Sequence, residues 1–486
     1  MKRKTRVAAL LCITALFFIQ GCKKFVEVEA PKTSVNSINI YNNDATAIGA
    51  ITSLYASLGS EYLTGTTEFS SLSCIVGLSA DELTLFPGAE NSDLYNFYQN
   101  SLTSSSNVSY LSATYNKLYL VNESVEGLTK PSDLTPQVKK QLLGEAKFMR
   151  AFYYFYLVNI YGEIPLILST DYSLNTMKGK SSQNEIYNQI IVDLKEAKEL
   201  LSDLYVKGDG FTPYPNGVAE RIRPTKWAAI SLLARAYLYM KNYTSAEAES
   251  TLVLSNTSLY KLETLDKVYL KNNMEAILQL QPVTLGNNTQ DANIFLLPSS
   301  GPSPSYPVYL SEELINKFSS NDERKNMWIR NVTIDDNTYF YPFKYKVPAT
   351  NITNNIVTEY PTVMRLAEQF LIRAEARAQL NNLFGAISDV DEIRRRAGLE
   401  LINDIDPLIE KAALVNEITK QRQLELFTEW GHRWFDLKRR KLVDEVMSIV
   451  TPKKGNTSGW KSYQEYFPIP ISILNRAPNL TPTDGY

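Results

Sequence analysis

The chain has 486 residues with 50 Lys plus Arg against 52 Asp plus Glu, so no basic surplus points to nucleic acid or to a polybasic membrane patch. With 44% hydrophobic and 21% charged residues the composition is globular, and the length holds two or three domains or one long helical array. One histidine and three cysteines rule out a multi-histidine or cysteine-cluster zinc site.

The chain begins with a targeting pattern. Lys2, Arg3, Lys4 and Arg6 precede an apolar run from Val7 to Ile19, a basic segment followed by a core too short for an ordinary membrane span. Gly21 directly before Cys22 resembles a bacterial lipobox, although Gln20 stands where a small residue is usual. This implies a signal peptide over 1–21, lipid (palmitate) attachment to Cys22, and a tether over 22–43. Cleavage removes four cationic side chains and no acidic one, so the formal charge goes from −2 to −6 over the remaining 465 residues. Cys12 leaves with the signal and Cys22 carries lipid, so Cys74, beside Leu72, Ile75 and Val76, reads as a buried inert thiol.

A mainly helical region is expected over 44–258. Ile51, Leu54, Tyr55 and Leu58 mark a first helix over 48–58. The segment 59–108 is rich in Ser, Thr, Gly and Asn, carries Phe86, Tyr95, Phe97 and Tyr98, and reads as a long functional loop. Helices follow over 111–128 and 135–161, the second ended by Gly162 and Pro165. Ser182 with Glu185 forms a capping box that opens a helix over 185–201.

The clearest repeat is RPTKWAAISLLARAYLYMKNYTSAEAESTLVL, residues 224–255. Ala234 with Tyr237 three on and Ala246 twelve on matches a tetratricopeptide helix pair, in which small residues let two helices approach closely. Ala374 and Ala386 repeat the offset of twelve, and Ala151 with Tyr154 is placed to begin a further pair. Between the repeats, 259–361 loses the helical period. Short β-like runs at 277–280, 328–334 and 339–345 and one helix over 312–318 read as an irregular inserted subdomain. A C-terminal helical region over 362–486 closes the chain.

Within that region, EITKQRQLELFTEWGHRWFDLKRR (417–440) predicts one helix with Leu424, Phe427, Trp430, Trp434 and Leu437 along a single face. Charge pairs are expected along it: Arg422 with Glu425, Glu429 with Arg433, and Asp436 with Arg440. Gly431 costs such a helix about 1 kcal/mol relative to alanine, so a closely packed neighbour is expected there. His432 and Asp436 could form a general-base dyad, but no second histidine supports a metal site and no nucleophile is patterned beside them. There is no phosphate loop, no G-x-S-x-G and no H-E-x-x-H, so neither an enzyme nor a cofactor is expected.

Together these segments resemble the SusD/RagB family of outer-membrane nutrient-binding lipoproteins of Bacteroidetes. The resemblance runs through CKKFVEVEAP, SADEL (79–83), RAFYYFYLVNIYGEIPLI (150–167), RPTKWAAISLLARAYLYM, RLAEQFLIRAEARAQ, QRQLELFTEWGHRWFDLKR and YFPIPISILNRAPNL, and covers nearly the whole chain. It implies a mainly α fold: a tetratricopeptide-like helix-pair scaffold with an inserted, irregular, short-strand ligand-binding subdomain. It also implies a lipid anchor in the outer membrane facing the cell exterior, and a SusC-type TonB-dependent transporter as partner.

The family's ligand residues form no motif, so candidates come from residue chemistry. Sugars stack on aromatic faces while polar side chains bond their hydroxyls. Phe86, Tyr95 and Tyr98 near Asp81, and Tyr306 and Tyr309 in the insertion, are the loop-borne candidates. Trp227, Trp430 and Trp434 lie on helix packing faces, and Trp328 and Trp460 read as anchors. The preferred reading is an oligosaccharide-binding protein. A peptide-binding member of the same family and a protein-binding tetratricopeptide adaptor are the alternatives.

Overall fold

The structure, a computed structural model, describes residues 40–61, 71–89, 91–106, 110–215, 217–284, 286–348 and 357–486. Cys22, the signal segment and most of the tether lie outside the described residues.

The first helix, α1 (Asp44–Glu61), runs longer at both ends than its apolar face suggests. The next segment is less irregular than its composition implies. It holds α2 (Leu72–Ser79), β1 (Leu83–Leu85) and α3 (Ser92–Tyr98). Every residue of α2 is buried, so it has no polar face and leaves no amphipathic period in the sequence. Ser71 caps it by accepting from the Cys74 backbone N–H, and burial pushes the Cys74 thiol pKa up.

Two long helices follow, α4 (Tyr110–Thr129) and α5 (Pro136–Tyr161), with a proline in the first turn of α5, where its missing N–H costs nothing. From Phe148 to Tyr161 α5 is buried all round. Its one arginine there, Arg150, donates to Asp193 at 2.8 and 2.6 Å, on α6 (Gln183–Leu200). The capping box of α6 forms as expected, Ser182 N–H donating to Glu185 at 2.8 Å.

The repeats appear as α7 (Lys226–Tyr239) with α8 (Tyr243–Leu254), and, after β2 (Ala276–Gln279), β3 (Val308–Leu310), β4 (Ile329–Ile334), β5 (Asn337–Pro342) and β6 (Thr362–Arg365), as α9 (Leu366–Gln379) with α10 (Leu383–Arg396). Ala234, Ala246, Ala374 and Ala386 are fully buried, which is the close helix contact that small residues permit. Both pairs turn alike. Lys241 and Asn381 take left-handed φ of 58° and 63°, and Asn242 and Asn382 then cap the second helix through their side chains. The same turn recurs at Lys441 (φ 58°), where Leu442 N–H reaches back to the Leu437 carbonyl at 2.8 Å. That third turn joins two further helices at the end of the scaffold.

Those two are not one continuous helix with what precedes them. The stretch 417–440 divides into α11 (Lys411–Leu426) and α12 (His432–Arg439), followed by α13 (Val443–Lys453). Thr428, Trp430 and Gly431 have positive φ of 54°, 47° and 74°, turning the chain between them. A Cβ on Gly431 would stand 3.0 Å from the Phe435 ring and 3.2 Å from Val76 of α2. A close helix is therefore present, and the backbone requires the glycine as well. None of the three pairings expected along the helix forms. Arg422 binds Asp436 at 2.8 Å, Arg433 binds Asp81, and Glu425 and Glu429 take Arg365 from β6 and Arg324 and Lys344 from the irregular segment before it.

That segment, 259–361, is stitched to the scaffold by its strands. β2 pairs antiparallel with β6, and β3 with β1, setting Leu83 opposite Leu310. β4 and β5 form a hairpin whose turn residues Asp335 and Asp336 have φ of 46° and 67°, a turn whose twist suits the strands. Ile277, Val308 and Trp328 belong to the same continuous apolar core as α5.

Candidate functional site

The pairing of β1 with β3 joins two segments far apart in sequence and opens a cavity of about 1000 Å³ beside them. Its floor comes from Asp81 and Thr84 at β1. Around it stand Tyr98 from the end of α3, Tyr309 from β3, and Asn337, Thr338 and Tyr339 from the β4–β5 hairpin. Glu312, Glu313 and Asn316 border it after β3, and Lys453 and Lys454 at the C-terminal end of α13.

Tyr309 and Tyr339 meet edge to face, centroids 5.2 Å apart at 85°, which braces both rings at the cavity wall. Both are half-buried, as is Tyr98. Burial, with Tyr98 close by, pushes the Tyr309 phenol up to about 12, and burial likewise raises Tyr98. Both therefore stay neutral and present apolar faces with a hydroxyl at the tip.

The floor is ionic but saturated. Burial alone would raise the Asp81 carboxyl; Arg433, donating at 2.7 Å from both Nε and Nη2, pulls it below its ordinary value. Lys454 donates to the Leu78 carbonyl at 2.6 Å and to those of Ser79 and Ala80, so it caps the C-terminus of α2. Burial brings its ammonium down to about 7. Its Nζ also lies 5.2 Å from the centre of the Tyr98 ring. Glu82 points inward, where among the described residues its one backbone donor is Thr428 N–H at 3.5 Å. Burial and then the Asp81 charge push it up to about 8. Glu82, the carboxyl of the pair that burial raises, thus lies off the cavity wall.

Of the sequence candidates, Asp81, Tyr98 and Tyr309 share this cavity, while Phe86, Tyr95 and Tyr306 do not line it. Tyr95 turns its hydroxyl to the Pro87 carbonyl, the Phe86 backbone N–H donates to Pro307, and Tyr306 sits in a turn closed with Ser303. Tyr339, Asn337 and Thr338 were not among the candidates. Two Asp residues followed by Asn ahead of alternating aromatics is a hairpin signal that could have found them. The tryptophans anchor structure: Trp328 donates to the Leu265 carbonyl at 2.8 Å, and Trp460 meets Trp434 edge to face at 6.0 Å.

His432 and Asp436 do not form a dyad. Asp436 is held by Arg422 at 2.8 Å and Arg439 at 2.7 Å. His432 is buried with Nδ1 4.0 Å from Glu368, and burial lowers it to about 4. Among the described residues, no group of three or more His, Cys, Asp or Glu side chains is placed to hold a metal ion.

Comparison with known proteins locates two family models on the chain. One described as "SusD family" matches residues 304–486, and one described as "Starch-binding associating with outer membrane" matches residues 81–238. A SusD-like protein of Formosa agariphila is 24% identical over 92% of this chain and 94% of its own. Among solved structures, a laminarin-binding SusD-like protein superposes with a TM-score of 0.74 at 23% identity, covering 92% of this chain and 100% of its own. Surface glycan-binding protein A from Bacteroides fluxus gives 0.72 at 20% identity, covering 91% of this chain and 99% of its own. At these identities the structural likeness establishes the shared fold.

Proposed function

Because the chain is a SusD/RagB family protein, we propose that it is an outer-membrane nutrient-binding lipoprotein that captures oligosaccharide in the Tyr98–Tyr309–Tyr339 cavity and passes it to a SusC-type TonB-dependent transporter. The observation that carries this reading is the cavity itself. Half-buried tyrosines line it, ringed by Thr84, Asn316, Asn337 and Thr338, which suit a pyranose ring's apolar face and its hydroxyls. A laminarin-binding and a surface glycan-binding neighbour of the same fold support carbohydrate as the ligand class.

The mechanism is binding and release, with no covalent step. Asp81, the carboxylate on the floor, is neutralised by Arg433, and the raised carboxyl of Glu82 faces the core. Attachment through lipid on Cys22 would hold the cavity at the membrane surface beside the transporter; stable anchoring takes two or more acyl chains.

Affinity electrophoresis and calorimetry against plant, host and microbial glycans test the binding. Retention by at least one glycan, lost in Tyr309→Ala, is the expected result. Failure across the panel, with peptides retained instead, would transfer the site to the peptide reading. Membrane fractionation of Cys22→Ala, expected to be released into the soluble fraction, tests the anchor, and co-purification of a TonB-dependent transporter tests the partner.

A further inference from the structure

The charges around the cavity divide unequally, and this bears on which oligosaccharides it can take. Each cation on the wall is already engaged. Lys454 spends its donors on the three carbonyls at the end of α2. Lys453 is 3.0 Å from Glu313. Arg433, behind the floor, is used by Asp81. Two carboxylates on the wall have no such partner among the described residues: Glu312, at the start of the short helix after β3, and Asp336, at the tip of the β4–β5 hairpin. Both are exposed, Glu312 just after β3, which carries Tyr309, and Asp336 at the turn leading into β5, which carries Tyr339.

An anionic sugar entering there would meet two unpaired carboxylates of its own sign, and the one exposed ammonium on the wall, Lys453, is shared with Glu313. Specificity built on repulsion in this way costs an uncharged ligand nothing, because its hydroxyls can donate to the same carboxylates. We infer that the cavity selects uncharged oligosaccharides and excludes those bearing uronate or sulfate groups. This rests on the glycan-binding reading and narrows its substrate class.

The test compares starch, laminarin and xylan with their C6-oxidised, uronate-bearing forms where a primary hydroxyl exists, and adds alginate and polygalacturonate with its methyl ester. Affinities are measured at low ionic strength, where charge effects are largest. At least a tenfold preference for the uncharged member of each pair that binds is expected. In Glu312→Lys/Asp336→Lys that ratio should fall about tenfold or reverse. In Asp404→Lys/Asp406→Lys, which makes the same change of net charge away from the cavity, it should stay within about twofold. Wild-type protein that binds the anionic member as tightly as the neutral one overturns the inference and leaves glycan binding standing. So does a control variant whose ratio collapses as far as the cavity variant's, since selectivity would then belong to overall charge. Binding to no member of any pair removes the glycan reading itself, and this inference with it.

Discussion

Arg433 grips Asp81 with two hydrogen bonds of 2.7 Å, joining the floor of the cavity to α12 across most of the chain's length. Both side chains are buried, so the pair trades desolvation for mutual attraction and contributes little net stability while intact. Removing one partner leaves the other charged and dry. Arg433→Ala and Asp81→Ala should each lower the unfolding free energy by roughly 3–5 kcal/mol. The double variant should lose clearly less than the sum of the two. Urea unfolding of the four proteins measures this, and strict additivity would show that the pair is not coupled.

Tyr309 carries the second prediction. A half-buried aromatic wall residue is the type of group that dominates binding, and truncating one typically costs about 2 kcal/mol, roughly thirtyfold in affinity. Tyr309→Ala should weaken the best glycan by about that factor while moving the melting temperature little. Tyr339→Ala, which removes the edge-to-face support of Tyr309, should act in the same direction. Calorimetry with the wild-type ligand decides. Unchanged affinity in both variants would move the site elsewhere.

What the sequence revealed, and what it hid, follows from the range of the interactions. Helix pairs were legible because close packing at Ala234 and Ala246, and at Ala374 and Ala386, is written within one repeat. The break between α11 and α12 was not, because Leu424, Phe427, Trp430, Trp434 and Leu437 keep a helical period straight through it. Only Gly431 marked the turn, and its neighbours Thr428 and Trp430 reach positive φ without being glycine. Local spacing also misassigned the ion pairs: Glu425 and Glu429 answer to Arg365, some sixty residues away, and Arg433 answers to Asp81. The cavity was half legible for the same reason. Asp81, Tyr98 and Tyr309 have the right chemistry, but the β1–β3 register that gathers them and leaves Phe86 and Tyr306 aside is a long-range pairing with no local signature. Tyr339 looked like an ordinary strand residue until the hairpin was placed against β3.

Gly431 gives a third prediction. Its φ of 74° is strained for any residue with a Cβ, and that Cβ would press on Phe435 at 3.0 Å and Val76 at 3.2 Å. Neither neighbour can retreat easily, since both are buried in the core. Gly431→Ala should cost about 1–3 kcal/mol of stability. Gly49→Ala, on α1 with open space around it, should be neutral or stabilising. Thermal unfolding of the two variants distinguishes them. Equal melting temperatures would mean that the turn between α11 and α12 relaxes freely.

The last prediction uses the fact that His432 is the chain's one histidine. Burial lowers it to about 4, against an ordinary value near 6.5, with Glu368 opposing and Arg235 and Arg422 assisting the shift. Between these two values the unfolded chain holds the proton and the folded chain does not. Stability from this group is therefore complete above about pH 6.5 and is lost as the pH falls towards 4. Each pH unit within the window is worth about 1.4 kcal/mol, so lowering the pH from 6.5 to 5 should cost roughly 2 kcal/mol through His432. Glu82 and Asp291, raised to about 8 and 7, act with the opposite sign, gaining stability as the pH falls through those values. The informative quantity is therefore the difference between wild type and His432→Asn. That difference should shrink by about 2 kcal/mol between pH 6.5 and 5 in urea unfolding. The single imidazole Cε1 proton resonance should remain at its neutral shift down to about pH 5, and a midpoint near 6.5 would show instead that the ring is solvated and free to ionise.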